Sequence, residues 1–168
     1  MRRLLARWRV SLGFLLAALA LWLATPTPQS VVIGAVIAWC GEAIRVWAAG
    51  HLEKSTEVTR SGPYRFTRHP LYLGSTLIGI GLAVAAHHFV LGLLIVMYLA
   101  STLSAAMRSE EAHLREKFGD AYDAYAEQRA DPMARAFSVA RALRNREHHA
   151  IAGLLAGFVA LAIRAASR

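Results

Sequence analysis

Two polar stretches hold the residue types that could do chemistry. The first, GPYRFTRHPLYLG at 62–74, stands directly before an apolar run. Pro70 suits the first turn of the following helix, where its missing N–H costs nothing. The free N–H groups of that turn and the positive helix end then point back into the stretch. Together they make a seat for a carboxylate or phosphate. Arg65 and Arg68 strengthen that seat. Gly62-Pro63 constrains the approach of the chain, and Pro70 holds His69 out of helical geometry. Tyrosine, arginine and histidine also serve as plain anchors at headgroup depth, and residue types alone allow both readings.

The second stretch, 109–128, carries Glu110-Glu111 and then Leu114, Phe118, Tyr122 and Tyr125 at spacings of four, four and three. That spacing predicts an amphipathic helix, continuing from or kinked off the preceding apolar run, with Gly119 at the bend. Adjacent residues do not share a helix face, so one glutamate points into a site at most. Arg108 or Arg115 can pair with them. The aromatic residues suit an apolar ligand or a ring, and equally a helix docked on its own bundle.

Composition says what must position these stretches. The chain of 168 residues is 56% hydrophobic and 18% charged, well under the ~25% charge of a soluble domain. Apolar runs fall at 10–24, 30–49, 71–86 and 89–107, with a shorter one at 151–163. A helix crossing the ~30 Å hydrocarbon core needs roughly 20 residues. The expected fold is therefore all-α: a polytopic membrane helical bundle of four to five transmembrane helices with a cytosolic amphipathic helix. The fifth run suits either a tilted span or a helix lying in the interface. The uncharged turn Ala86-His87-His88 predicts an antiparallel hairpin of the third and fourth runs. Small residues such as Gly74, Gly79 and Gly81 predict close helix packing.

Net charge is +8. The basic residues cluster between apolar runs, which assigns them to membrane topology and not to nucleic acid. Arg2, Arg3, Arg7 and Arg9, the segment 50–69, and the eight Lys/Arg of 108–148 are expected on the cytoplasmic side. Arg164 and Arg168 would be sent outward by a fifth span, which argues against it. Within the second run, Glu42 and Arg45 lie three apart and can share a face. Charges at that depth must pair or meet a polar cavity. The single cysteine, Cys40, excludes an internal disulfide. The seven histidines are scattered without metalloprotease spacing, so no metal site is expected.

The combination Gly62-Pro63-Tyr64-Arg65, Arg68-His69-Pro70-Leu71-Tyr72-Leu73-Gly74, Glu110-Glu111, Phe118-Gly119, Tyr122 and Tyr125 resembles the isoprenylcysteine carboxyl methyltransferase family and its bacterial relatives. It is also similar to the phospholipid methyltransferases. Gly41 to Arg45 resembles the glycine-to-arginine run upstream, so the likeness covers about 34–129 of a single 1–168 domain, with 130–168 as an extra segment. The resemblance implies an integral membrane methyltransferase that uses S-adenosylmethionine, in a bacterial inner membrane with N-terminus and active site cytoplasmic. It implies that Arg68, His69, Pro70 and Tyr72 lie at the cofactor, that Tyr64, Gly62 and Arg65 shape its roof, and that Tyr122 and Tyr125 line or close the pocket. Glu110 and Glu111 correspond to an acidic pair near cofactor and acceptor. The arginine that often stands a turn before this pair is missing: Ala105-Ala106-Met107 occupies that turn. This weakens a prenylcysteine carboxylate as substrate.

Methyl transfer from a sulfonium is an in-line displacement that needs alignment and exclusion of water. A carboxylate acceptor needs a positioning cation, for which Arg45, Arg65 and Arg108 are candidates. An amine or hydroxyl acceptor must lose a proton, for which Glu110, Glu111 and His69 are candidates. The acceptor expected is amphipathic or lipid-like, entering from the membrane. The competing readings are an NADPH-dependent membrane reductase of related fold and a non-catalytic binding or transport protein. The sequence does not set the oligomeric state.

Overall fold

A computed structural model describes residues 18, 19 and 22–167. Most of the first apolar run and the four N-terminal arginines lie outside the described residues. The all-helical expectation is met: the described residues form six α-helices, one short 3-10 turn and no strand.

Helix α1 spans Pro28–Ala49. Its start is written in Thr27-Pro28-Gln29-Ser30: the Thr27 hydroxyl accepts from the Ser30 N–H and the Ser30 hydroxyl accepts from the Thr27 N–H, a reciprocal cap with Pro28 in the first turn. Helix α2 spans Pro70–Ala86 and also opens on proline. It stops at His87, whose φ of 49° lies in the left-handed region. Helix α3 begins after two intervening residues, at Phe89, and runs unbroken to Phe118, so the expected hairpin forms with a very tight turn. Helix α4 covers Asp120–Ala126, α5 Val139–Arg144 and α6 Glu147–Ala166.

Among the described residues three helices, α1, α3 and α6, are long and apolar enough to cross a membrane. Helix α2, at 17 residues, is about 26 Å long and falls short of the hydrocarbon thickness. The 30 residues of α3 make a rod of about 45 Å, so its last turns leave the apolar layer. The segment 109–118 thus continues the fourth run, and the bend comes at Gly119, with φ 49°. The fifth run gains Glu147 to Ala150 and Arg164 to Ala166 in the helix. The resulting 20 residues give it spanning length.

Helices α1 and α2 pack antiparallel through glycines spaced seven apart. Gly34 meets Gly81 and Gly41 meets Gly74: a Cβ on Gly41 would stand 2.6 Å from the Gly74 carbonyl oxygen, and one on Gly74 2.5 Å from that of Gly41. Only glycine allows this approach. Gly79 faces the other way, against Leu99 of α3. A core of Ala38, Ala85, Leu91, Ile95, Leu154 and Phe158 fills the half of the bundle near the α2–α3 turn. Around it, Val32, Val36, Val90, Met97, Val159 and Ile163 remain exposed, an apolar belt suited to lipid.

Helix α6 runs alongside α1 in the opposite direction. At one end Glu147 meets Arg45 near the end of α1. At the other, Arg164 donates to the Ala24 carbonyl at 2.7 Å and the Trp22 carbonyl at 2.6 Å, just before α1 begins. The charge argument against a fifth span loses its force for Arg164, which caps backbone carbonyls at the far end of the bundle; Arg168 lies outside the described residues.

Candidate functional site

The first polar stretch folds as expected into a turn and a helix start. Gly62–Arg65 form the 3-10 turn, with Gly62 at φ 57°. His69 is outside helical geometry, with φ −129° and ψ 54°, and offers no side-chain cap to α2. The N-terminal end of α2 therefore stays open toward the rim, with Pro70 buried beneath it.

Two motif halves, separated by the whole α2–α3 hairpin, meet here. The His69 Nε2 atom lies 2.8 Å from Glu111 Oε1, and Arg68 lies 3.3 Å from the same oxygen. Of the two adjacent glutamates, Glu111 is the one that turns onto the loop. Glu110 is exposed, yet its charge reaches Tyr64. The His69 ring packs on Tyr72 one turn into α2, with centroids 5.7 Å apart.

Helix α4 closes the opposite wall. The Tyr125 hydroxyl donates to the Tyr64 carbonyl at 2.8 Å, and burial pushes its phenol up to about 12, so it remains a donor at neutral pH. Tyr122 stacks edge-on against Tyr125, with Arg115 over its other side at 5.5 Å. The Tyr122 hydroxyl is buried and makes no well-formed hydrogen bond among the described residues, with the Arg68 guanidinium as the donor that bears on it. Burial raises the Tyr64 phenol well above the usual tyrosine value, followed by the negative fields of Glu110, Tyr125, Glu147 and Tyr72. Tyr64, Arg65, Arg68, Tyr125 and Gln128 line an open cleft of about 240 Å³. Clefts that bury a whole drug-sized ligand hold ~300–1,000 Å³, so this one has room for only part of such a molecule.

One turn deeper, Arg45 is fully engaged. It makes a two-pronged pair with Glu147, 2.9 and 3.0 Å, and donates to the Ser75 hydroxyl at 2.5 Å. Glu42 stands 3.6 Å from the Arg45 Nε, and neither of its buried oxygens accepts a hydrogen bond from the described residues. Sequence spacing pairs Arg45 with Glu42; the structure gives its best contacts to Glu147, 102 residues away. Glu147 and Ser75 are the residues missed by sequence reasoning. A lone arginine inside an apolar run demands a counter-charge, and Glu147 opens an apolar run, but nothing in the spacing joins the two. Arg108 is not brought into the cluster: it donates to the Ser104 carbonyl of its own helix and is exposed. Among the described residues no group of three or more His, Cys, Asp or Glu gathers as for a metal.

The described residues form an all-helical bundle with helices apolar enough to cross a membrane and a cationic and aromatic rim closed by a carboxylate from a neighbouring helix. Residues 8–121 match the phospholipid methyltransferase family, and the chain belongs to that family. It is 30% identical over 129 residues to the nickel-cobalt-cadmium resistance protein NccN of Alcaligenes xylosoxydans xylosoxydans, covering 71% of this chain and 59% of that protein. It is 31% identical over 85 residues to the protein-S-isoprenylcysteine O-methyltransferase of Schizosaccharomyces pombe, covering 51% of this chain and 36% of the relative. A third relative, the cobalt-zinc-cadmium resistance protein CzcN of Cupriavidus metallidurans, is 27% identical over 121 residues, 66% of this chain and 55% of its own. The chain thus spans about a third to three fifths of the length of these relatives. No solved structure matches it significantly. Family and relatives together support a membrane methyltransferase.

Proposed function

We propose that this protein transfers a methyl group from S-adenosylmethionine to an amphipathic or lipid-like acceptor at the membrane rim. The observation that carries the reading is the contact of His69 and Arg68 with Glu111. It joins the two stretches shared with the methyltransferases into one wall, beside an open helix N-terminus.

The residues present fit the cofactor. The uncapped start of α2 and the guanidinium groups of Arg65 and Arg68 suit its carboxylate. The faces of Tyr64 and Tyr125 suit a purine ring, and the Tyr122 hydroxyl, beside Arg68, can both donate and accept. Bound there, S-adenosylmethionine supplies an electrophilic methyl group. The task left to the chain is to orient the acceptor and keep water out.

Of the cations considered for a carboxylate acceptor, Arg45 is taken by Glu147 and Ser75, and Arg108 by its own helix. Arg65 is the one that lines the cleft. With Arg65 assigned to the carboxylate of the cofactor, no further cation among these is left for an acceptor carboxylate, which favours an amine or hydroxyl acceptor. For such an acceptor Glu110 is the better proton acceptor, because Glu111 is held by Arg68 and His69. The acceptor enters from the lipid. In a bacterial inner membrane, the rim and the N-terminus would face the cytoplasm.

Calorimetry on detergent-purified protein, titrated separately with S-adenosylmethionine and NADPH, tests the reading. Saturable binding of the first and none of the second is expected. Binding of NADPH alone would replace the methyltransferase reading by that of a reductase.

A further inference from the structure

The segment that follows the family match is tied to the loop that leads into the rim. Residues 50–61 connect α1 to the Gly62–Arg65 turn, and residues 129–146 hold them along their length. Arg135 donates to the His51 carbonyl at 3.2 Å and pairs with Glu57. Arg141 donates to Glu53 at 2.8 Å and to the Gly50 carbonyl, and Arg144 reaches Glu53 at 3.2 Å. The Asn145 amide donates to the carbonyls of Ala49 and Leu52 at 2.9 and 3.0 Å. The Ser138 N–H bonds to the Gly50 carbonyl. Phe137 lies directly on Gly50, where a Cβ would strike its ring, and its centroid is 6.3 Å from that of His51.

The held loop in turn supports the cleft. His51 is buried, 5% exposed, and its Nδ1 lies 3.2 Å from the Ser61 hydroxyl. Its ring sits under Gly62, where a Cβ would come within 2.5 to 2.6 Å of it. Gly62 opens the turn that presents Tyr64 and Arg65 to the cleft. The contacts therefore run from Arg135, Phe137 and Arg141 through His51 to Gly62 and the cleft wall. Both guanidinium groups are mostly shielded, with 19% and 15% of the side chain exposed for Arg135 and Arg141. Each also bonds a backbone carbonyl, so these are stronger links than exposed ion pairs.

We infer that residues 129–146 are a brace that sets the position of the Gly62–Arg65 turn, with Arg135 and Arg141 as positioning residues acting through His51. The inference rests on reading the cleft as the cofactor seat, and it adds a part outside the matched region to that seat.

The test combines cofactor affinity with hydrogen exchange on the full-length protein in detergent. Arg141→Met should weaken S-adenosylmethionine binding about tenfold and speed exchange at 60–68, leaving the α1–α2 interface protected. Arg141→Lys, which keeps a charge and a donor, should recover part of the affinity. Unchanged affinity and unchanged exchange at 60–68 in Arg141→Met would overturn the brace. Should that variant fail to fold, the wild-type protein gives the answer. Raising salt should speed exchange at 60–68 before it affects α1, and equal protection at all salt concentrations refutes the inference. Absence of S-adenosylmethionine binding in the wild type would end the methyltransferase reading, and the exchange measurements would still decide whether the brace exists.

Discussion

At the scale of single residues, the Glu111 carboxylate makes the join between two distant stretches. His69→Ala should weaken S-adenosylmethionine binding by roughly tenfold, the low end for a hydrogen bond to a charged group. Glu111→Gln should cost a similar factor, and the double variant less than the product, because the two side chains share one contact. Calorimetry of the four proteins gives the coupling, and strictly additive losses would show that the residues act separately. His51 offers a pH-dependent test. Burial first, then Arg141 and Arg135, pull its imidazole below the usual histidine value. The unfolded chain therefore binds the proton more readily. The stability supplied by neutral His51 is complete above the ordinary value near ~6.5 and is lost as pH falls through the depressed folded value. Thermal unfolding measured from neutral to mildly acidic pH should show this loss, and His51→Gln should flatten it.

At the scale of elements, the α1–α2 crossing is set by backbone contact. Gly41→Ala places a Cβ 2.6 Å from a carbonyl oxygen, and the helices must part, at about 1–3 kcal/mol. Gly153 on α6 has nothing within 4 Å of such a Cβ. Gly153→Ala should be neutral or stabilising, by up to about 1 kcal/mol from helix propensity. Thermal unfolding in detergent compares the pair directly; equal losses would refute the crossing described. Much of this level was legible in the sequence. The apolar runs, the proline starts at Pro28 and Pro70, the turn at His87 and the bend at Gly119 are local signals, and local physics decides them. The open helix start beside Arg65 and Arg68 was legible for the same reason. The Arg45–Glu147 pair was not, because spacing along one helix reports neighbours within that helix and says nothing of a partner on another. The clasp of 50–61 by 129–146 was hidden likewise: its arginines read as topology charges until their acceptors, many of them backbone carbonyls, were in view.

At the scale of the whole molecule, Glu147 and Arg164 place the ends of α6 at opposite ends of α1. In a Cys40→Ser background, single cysteines at Lys54 and Arg164 should therefore react with a membrane-impermeant maleimide from opposite sides of a sealed vesicle. Labelling from the same side would take α6 out of the membrane. The unequal lengths of α2 and α3 have a consequence of their own. His69 stands at the start of the short helix and Glu111 on the overshooting one, and the two rods touch at Gly79 against Leu99 and at Gly92 beside Ala83. A bilayer that thins or thickens tilts such rods by different amounts, and the gap between their tips changes with it. The spacing of His69 and Glu111 is therefore expected to follow bilayer thickness. S-adenosylmethionine affinity in nanodiscs should differ between short-chain and long-chain phosphatidylcholine, and the chain length that keeps His69 on Glu111 should bind best.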